Sequence, residues 1–408
     1  MRKSWILVCF ANFFIASLMG LLLRWMYVSP IEGVNFQFLM HGHSHVAMLG
    51  WVFLMLYCLI FYSFIPKKEQ EKPVYNRLFW VTEIAVLGMM IDFPAQGYAF
   101  VSILFSTLHI FCSYYFCRLI WKDAKPATFH ENRMLKTALF FMVFSTLGVW
   151  CLGPAVGLLG KASAFYQIAI QFFLHFQFNG WFLFAVLALF FKQSKITMDE
   201  KKFGIVYNMF VIATVLTLAL PVSWYLSNSI FYWINAVGVV LQFVSALLFV
   251  QLIKPQLKTF FSTLSTLEKT TYGFAMFSLA LKIIIQLVVL VPELAQVSHQ
   301  IRNFVIGYIH LTMLGIITGF LFGLAFQNNF LNSKKVIQKW GTILFLVGFV
   351  TTEILLFLQG IWLFLDKGSV PNYYLNLFLS SIFLPVGLLM LTIGVFQSKI
   401  NSAKFLTI

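Results

Sequence analysis

Apolar residues run through this chain in long, nearly unbroken blocks separated by short polar segments, and block length decides what each can form. A helix needs about 20 apolar residues to cross a bilayer's hydrocarbon core. Twelve blocks meet or approach that length: residues 5–28, 36–65, 78–93, 98–121, 134–159, 165–191, 203–225, 230–253, 272–291, 302–326, 340–365 and 373–396. Blocks this long are not strands or the amphipathic helices of a soluble core, so the pattern predicts an all-α, polytopic membrane protein with twelve transmembrane helices. The third block is the shortest and carries Glu83, with Asp92 and Pro94 at its end. No connection is long enough for a soluble domain, so 1–408 reads as a single membrane domain. The first block follows Met1, Arg2 and Lys3 in the manner of a signal peptide, but it reaches Leu23 without a small-residue cleavage site. That predicts a retained first span.

Composition agrees with the pattern. The chain is 61% hydrophobic and 10% charged, whereas soluble domains are about 45–50% apolar and about 25% charged. A formal net charge of +15 invites a nucleic-acid partner until the charges are placed. Basic residues gather in alternate connections: Lys67, Lys68, Lys72 and Arg77, then Arg118, Lys122, Lys125, Arg133 and Lys136, then Lys192, Lys195, Lys201 and Lys202. The series continues with Lys254, Lys258 and Lys269, then Lys334, Lys335 and Lys339, then Lys399 and Lys404. The other connections hold Arg24, Lys161, Arg302 and Lys367, and Lys282 lies inside the ninth block. The positive-inside rule then puts both termini in the cytoplasm and makes the basic balance a matter of topology. The expected partner is the lipid bilayer of a bacterial inner (cytoplasmic) membrane, with no nucleic acid. Cys9, Cys58, Cys112, Cys117 and Cys151 all fall in apolar blocks without paired spacing, and read as small buried hydrophobes.

The candidate chemistry is histidine. His41, His43, His45, His109, His175 and His310 all fall in or at the mouth of a block, where imidazoles are costly without a partner, a cavity or a cofactor. Three of them are followed five residues later by glycine: His45 by Gly50, His175 by Gly180, and His310 by Gly315. These histidines are 130 and 135 residues apart, on blocks two, six and ten. The charge-derived orientation puts all three roughly 12–15 Å below the outer entrance. That periodicity predicts three pseudo-repeated four-helix units, approximately 1–133, 134–269 and 270–408. His41 and His45, four apart, share a helix face, and His43 points away. The glycines serve either close helix approach or a surface without side chains beside a flat macrocycle. The alternative for each histidine is a hydrogen bond to a neighbouring helix.

Twelve spans in three four-helix units, with histidines on the second and tenth, resemble subunit I of the heme-copper oxidases and the large subunit of nitric-oxide reductases. The resemblance implies a low-spin heme held axially by His310 and by either His45 or His41. His45 lies in the repeat register and in the His-x-His-x4-Gly-Trp form of small oxidase-like proteins; His41-Gly42 is similar to the His-Gly of the full oxidases. The chain departs from that family elsewhere. Tyr308-Ile309-His310 stands where the family has His-x-His, residues 203–225 hold no histidine for copper, and Gln177, Phe178 and Asn179 follow His175 without the cross-linked tyrosine. A dinuclear oxygen-reducing centre is therefore incomplete, and ordinary oxygen reduction is not expected. What remains suits a bis-histidine heme b used for electron transfer or for handling a small redox ligand such as nitric oxide, oxygen or quinone. The partner would be a quinone or a cytochrome-type protein, and any enzymatic activity that of an oxidoreductase.

By the same resemblance Arg24 and Arg302, with His299 nearby, would meet the heme propionates; membrane-interface anchoring is their other reading. His175 is open to three readings: a second heme ligand, a copper ligand with His109 or His43, or a relic bonded to a neighbouring helix. Glu83, Asp92, Lys282 and Glu353 are intramembrane ionisable groups, open equally to a structural ion pair, in which Lys282 could join Glu83 or Glu353, and to a proton path. A second function class, a secondary transporter carrying a metal ion or protons on these histidines, would favour two six-helix halves with broken helices.

Overall fold

The computed structural model describes the backbone of residues 3–404 and the side chains of residues 3–397. Met1 and Arg2 of the N-terminal cluster lie outside the described residues, as do the side chains of Lys399 and Lys404 from the charge pattern. Twelve helices among the described residues are long and apolar enough to cross a bilayer. They are α1 Lys3–Trp25, α2 Phe36–Phe64, α3 Pro73–Gln96, α4 Phe100–Asp123, α5 Phe129–Leu159, α6 Ala164–Ser194, α7 Glu200–Ser223, α8 Ser229–Ser262, α9 Thr266–Val288, α10 Arg302–Gln327, α11 Val336–Phe364 and α12 Tyr373–Gln397. Short non-spanning helices cover Lys67–Gln70 and Pro292–Gln300. Membrane-embedded helices of this kind put the chain in contact with the lipid bilayer.

Each of the twelve expected spans is present, and most run past their apolar block into polar residues. α3 begins at Pro73, where a proline in the first turn costs no hydrogen bond. α8 continues through Lys254, Gln256 and Lys258 to Ser262, residues whose long side chains favour helix. The helix starts are capped by short polar side chains. Asn35 accepts from the Gln37 and Phe38 amides at 2.9 and 3.1 Å, and Asp199 accepts from the Lys202 amide at 2.8 Å. At the head of α5 Thr128 Oγ1 accepts from the Glu131 amide at 3.3 Å and Glu131 Oε2 accepts from the Ala127 amide at 2.9 Å, satisfying amides that have no partner within the helix. α7 is interrupted: its first part ends at Leu216 and its second covers Ala219–Ser223. Pro221, which has no N–H to give, sits in that second part.

The contacts gather the chain into two compact units. The first comprises the described residues of Met1–Ala124, Ser265–Thr271 and Leu321–Ile408; the second comprises Lys125–Leu264 and Tyr272–Phe320. In the first unit the core is aromatic, with Trp5 stacked on Phe79 at 4.6 Å and Trp51 stacked on Phe13 at 4.4 Å between ring centroids. In the second, Phe190 meets Phe260, Tyr272 and Phe320 edge-on. Burial separates the helices into two kinds. The most apolar stretches of α2, α6 and α10 are 78%, 78% and 83% buried, whereas the other nine spans reach 28–44%. The three helices carrying the repeated histidine are therefore the interior ones, and the rest keep broad faces for lipid.

Candidate functional site: histidines at the mouth of wide helical turns

In each of the three interior helices the regular α-helix stops at the histidine. α2 is α-helical from Phe36 to His45 and then π-helical over Val46–Phe53. α6 changes after His175, with a π segment over Phe176–Phe182, and α10 changes after His310, with one over Leu311–Thr318. No other π segment occurs among the described residues. A π turn closes i→i+5 hydrogen bonds, is rare, and recurs at functional sites. The five-residue step from histidine to glycine is the span of one such bond, so the sequence motif and the wide turn coincide three times.

The glycines have an identifiable local task at two of these places. A Cβ on Gly50 would lie 2.8 Å from Val86 Cγ1 and 3.2 Å from Asn12 Cβ, and one on Gly180 would lie 2.6 Å from Phe141 Cβ. Both glycines let a neighbouring helix of the same unit approach. In α2 the widened turn is also satisfied from outside: Asn12 Nδ2 of α1 donates to the Gly50 carbonyl at 3.2 Å and to Glu83 Oε2 at 2.8 Å. Glu83 is thus tied to an amide, which accounts for its tolerance in a span.

Around α2 the four-residue spacing separates the histidines by face. His43 Nδ1 donates to the Ala16 carbonyl of α1 at 2.8 Å, and its ring lies over Gly20. His41 and His45 instead meet Tyr98 and Phe93: His41 is edge-on to Tyr98 at 4.7 Å, and His45 stacks on Phe93 at 4.2 Å. His45 Nδ1 donates to the His41 carbonyl at 2.8 Å, because a carbonyl can only accept. That bond fixes the tautomer and leaves the Nε2 lone pair outward, facing the Tyr98 hydroxyl at 3.5 Å. An Nδ1–H held by a backbone carbonyl is the usual preparation of an imidazole for ligation through Nε2. His109 on α4 is buried, packs edge-on against Phe53 at 4.7 Å, and its Nε2 has no hydrogen-bond partner among the described residues. Tyr98 and Phe93 were not legible as site residues; nothing in the sequence marks a tyrosine beside Gly97 as facing a histidine 53 residues earlier.

In the second unit His175 is fully engaged. Its Nε2 donates to the Thr214 carbonyl at 2.7 Å, and its Nδ1 accepts from Asn179 Nδ2 at 3.4 Å. The Leu218 amide, displaced by the break in α7, bonds Val215 instead of Thr214, so the imidazole caps a carbonyl the break releases. His175 is thus bonded to a neighbouring helix, α7. His310 is half-buried at the start of its wide turn. On α9, Lys282 is wholly buried and donates to Gln286 Oε1 at 3.1 Å, with its ammonium 5.6 Å from the Tyr308 ring. Its partners within this unit are a neutral amide and a ring face.

The arginines differ from each other. Arg24 Nη1 donates to the Ser381 hydroxyl of α12, and Arg302 stands exposed at the first residue of α10. His299, outside the spans, stacks flat on Trp224 at 4.4 Å, and burial lowers its pKa below the ordinary imidazole value. Cys9 and Cys58 are free thiols with sulfurs 3.9 Å apart, a neighbourhood the spacing did not suggest. Among the described residues no three His, Cys, Asp or Glu side chains are gathered closely enough to hold a metal ion. Comparison with protein-family models and with curated proteins returns no match to this chain.

Proposed function

We propose that this chain is a membrane hemoprotein that carries heme b between the imidazoles of His45 and His310, in a scaffold of three four-helix repeats like that of heme-copper oxidase subunit I. The observation that carries the reading is the change from α to π turns immediately after His45, His175 and His310. Three histidines 130 and 135 residues apart meet the same backbone device, as descent from one repeated unit would produce. Two further points support it. His45 is prepared for Nε2 ligation by its Nδ1 bond to the His41 carbonyl, which favours His45 over His41 as the α2 ligand. With His175 engaged at both nitrogens, His45 and His310 are the two histidines of the repeat left to the proposal, the number that a six-coordinate heme takes.

A bis-histidine heme b supplies one-electron chemistry, and this favours electron transfer to or from a quinone or a cytochrome-type partner. The protein's share is to hold the imidazole orientation through the His41 carbonyl, to bury the group among aromatic rings, and to present Arg302 as a cation at the mouth of α10. Arg24, bonded to Ser381, serves first as a link between α1 and α12. The charge pattern orients the helices with both termini in the cytoplasm, as expected of a bacterial inner-membrane protein. Heme content of purified His45→Ala and His41→Ala variants tests the assignment. The reading expects His45→Ala to purify without heme and His41→Ala to retain it, weakened, since the carbonyl at 41 is backbone. Equal retention in both would remove His45 as a ligand.

A further inference from the structure

Away from the histidine helices, α5 and α7 enclose an open groove of about 380 Å³ in the second unit. It lies toward the end where both helices begin. Arg133 and Lys136, three residues apart on α5, stand on one face of the helix and both line it. The Tyr207 hydroxyl and Thr137 Oγ1 are hydrogen-bonded to each other across the groove. Further along, Phe140 and Val211 form an apolar wall, with Phe140 roughly 10 Å below Arg133 at 1.5 Å per residue.

The guanidinium is preset. It lies 4.9 Å from the Phe129 ring centroid and 5.5 Å from that of Tyr207. No carboxylate comes within ion-pair distance of it among the described residues. The nearest acid in sequence, Glu131, accepts from the Ala127 amide at 2.9 Å and faces Lys192 at 3.4 Å. The groove thus offers cations at its polar end and aromatic and aliphatic surface at the other. The flanking residues Phe140 and Ile212 are 57% and 50% exposed on helices that contact lipid.

We propose that this groove is a binding site for one anionic phospholipid, with the headgroup phosphate at Arg133 and Lys136 and the first part of an acyl chain along Phe140 and Val211. Basic pockets between spanning helices take such headgroups. A free phosphate would satisfy the cations but leave the apolar wall without an occupant, so the two-ended chemistry selects the lipid. The site is independent of the heme reading, since none of its residues belongs to α2 or α10.

Native mass spectrometry of the purified full chain, titrated in detergent with phosphatidylglycerol or phosphatidylcholine, tests the proposal. Wild type should retain phosphatidylglycerol in preference. Arg133→Gln/Lys136→Gln should bind it roughly 30-fold more weakly, which is about 2 kcal/mol for two interfacial cations. Lys254→Gln/Lys258→Gln, removing the same charge from α8, should bind as wild type does. Val211→Trp, which fills the apolar end without changing charge, should also lose the lipid. Equal losses in the two charge variants would make the effect a diffuse surface field and overturn the site. Unchanged binding in Val211→Trp, or displacement of the lipid by inorganic phosphate, would overturn the lipid as its occupant.

Discussion

Replacing Gly50 by alanine separates the two tasks that a glycine five residues after a histidine can have. The added Cβ would stand 2.8 Å from Val86 Cγ1 and 3.2 and 3.3 Å from Asn12 Cβ and Cγ, and Val86 is fully buried on α3. Such overpacking costs about 1–3 kcal/mol. Val86→Ala alone deletes two buried methyl groups, at about 0.8 kcal/mol each plus a cavity contribution. If the clash is the cause, Val86→Ala in the Gly50→Ala background removes the offending atom and the double variant costs less than the sum. Relief is partial because Asn12 remains, so a coupling of about 1 kcal/mol is expected, against roughly 0.3–0.5 kcal/mol for independent sites. Unfolding of the purified protein in mixed micelles by increasing dodecyl sulfate measures all four corners of the cycle. Strict additivity would refute the helix-approach account. So would a Gly50→Ala protein of wild-type stability that had lost its heme, because the glycine would then be clearing space for the macrocycle.

Other consequences follow from single contacts. His175→Leu leaves the Thr214 carbonyl at the break in α7 with only the 3.4 Å bond from Thr217 Oγ1, which should cost about 0.5–1.5 kcal/mol in the same unfolding assay while leaving heme content unchanged; heme loss at unchanged stability would make His175 a ligand. For His299, burial lowers the folded-state pKa below the unfolded value of about 6.5. The unfolded chain therefore takes up the proton first, and His299's contribution to stability declines as pH falls from neutral through that value. His299→Phe, which keeps the stacking on Trp224, should flatten this acid-side decline, and superimposable pH curves for the two proteins would contradict the assignment.

The twelve spans were legible because length and hydropathy alone decide whether a segment can cross a bilayer, and those properties are local. Edges were less so: α3 starts at Pro73 and α8 ends at Ser262 because helical hydrogen bonding does not stop where the apolar residues do. The opposition of His43 to His41 and His45 followed from helical geometry. Their partners did not, since Ala16 and Phe93 come from other helices and Tyr98 from the connection between α3 and α4, and no spacing encodes them. The π segments lay between these cases. Their five-residue step was present in the sequence three times, but it read as a glycine preference until the backbone showed the turn. The neighbours of Lys282 in the second unit, Gln286 one turn along its own helix and the Tyr308 ring, were not singled out, because the ring comes from another helix.

The reduced-minus-oxidised spectrum of the purified protein, recorded beside that of His310→Ala, addresses the central claim most directly. The account predicts a b-type heme signal in the wild type that is lost or converted to a high-spin form in the variant, because one of two axial imidazoles is gone. A wild-type protein without any heme band, or a band of identical shape and intensity in His310→Ala, would contradict it.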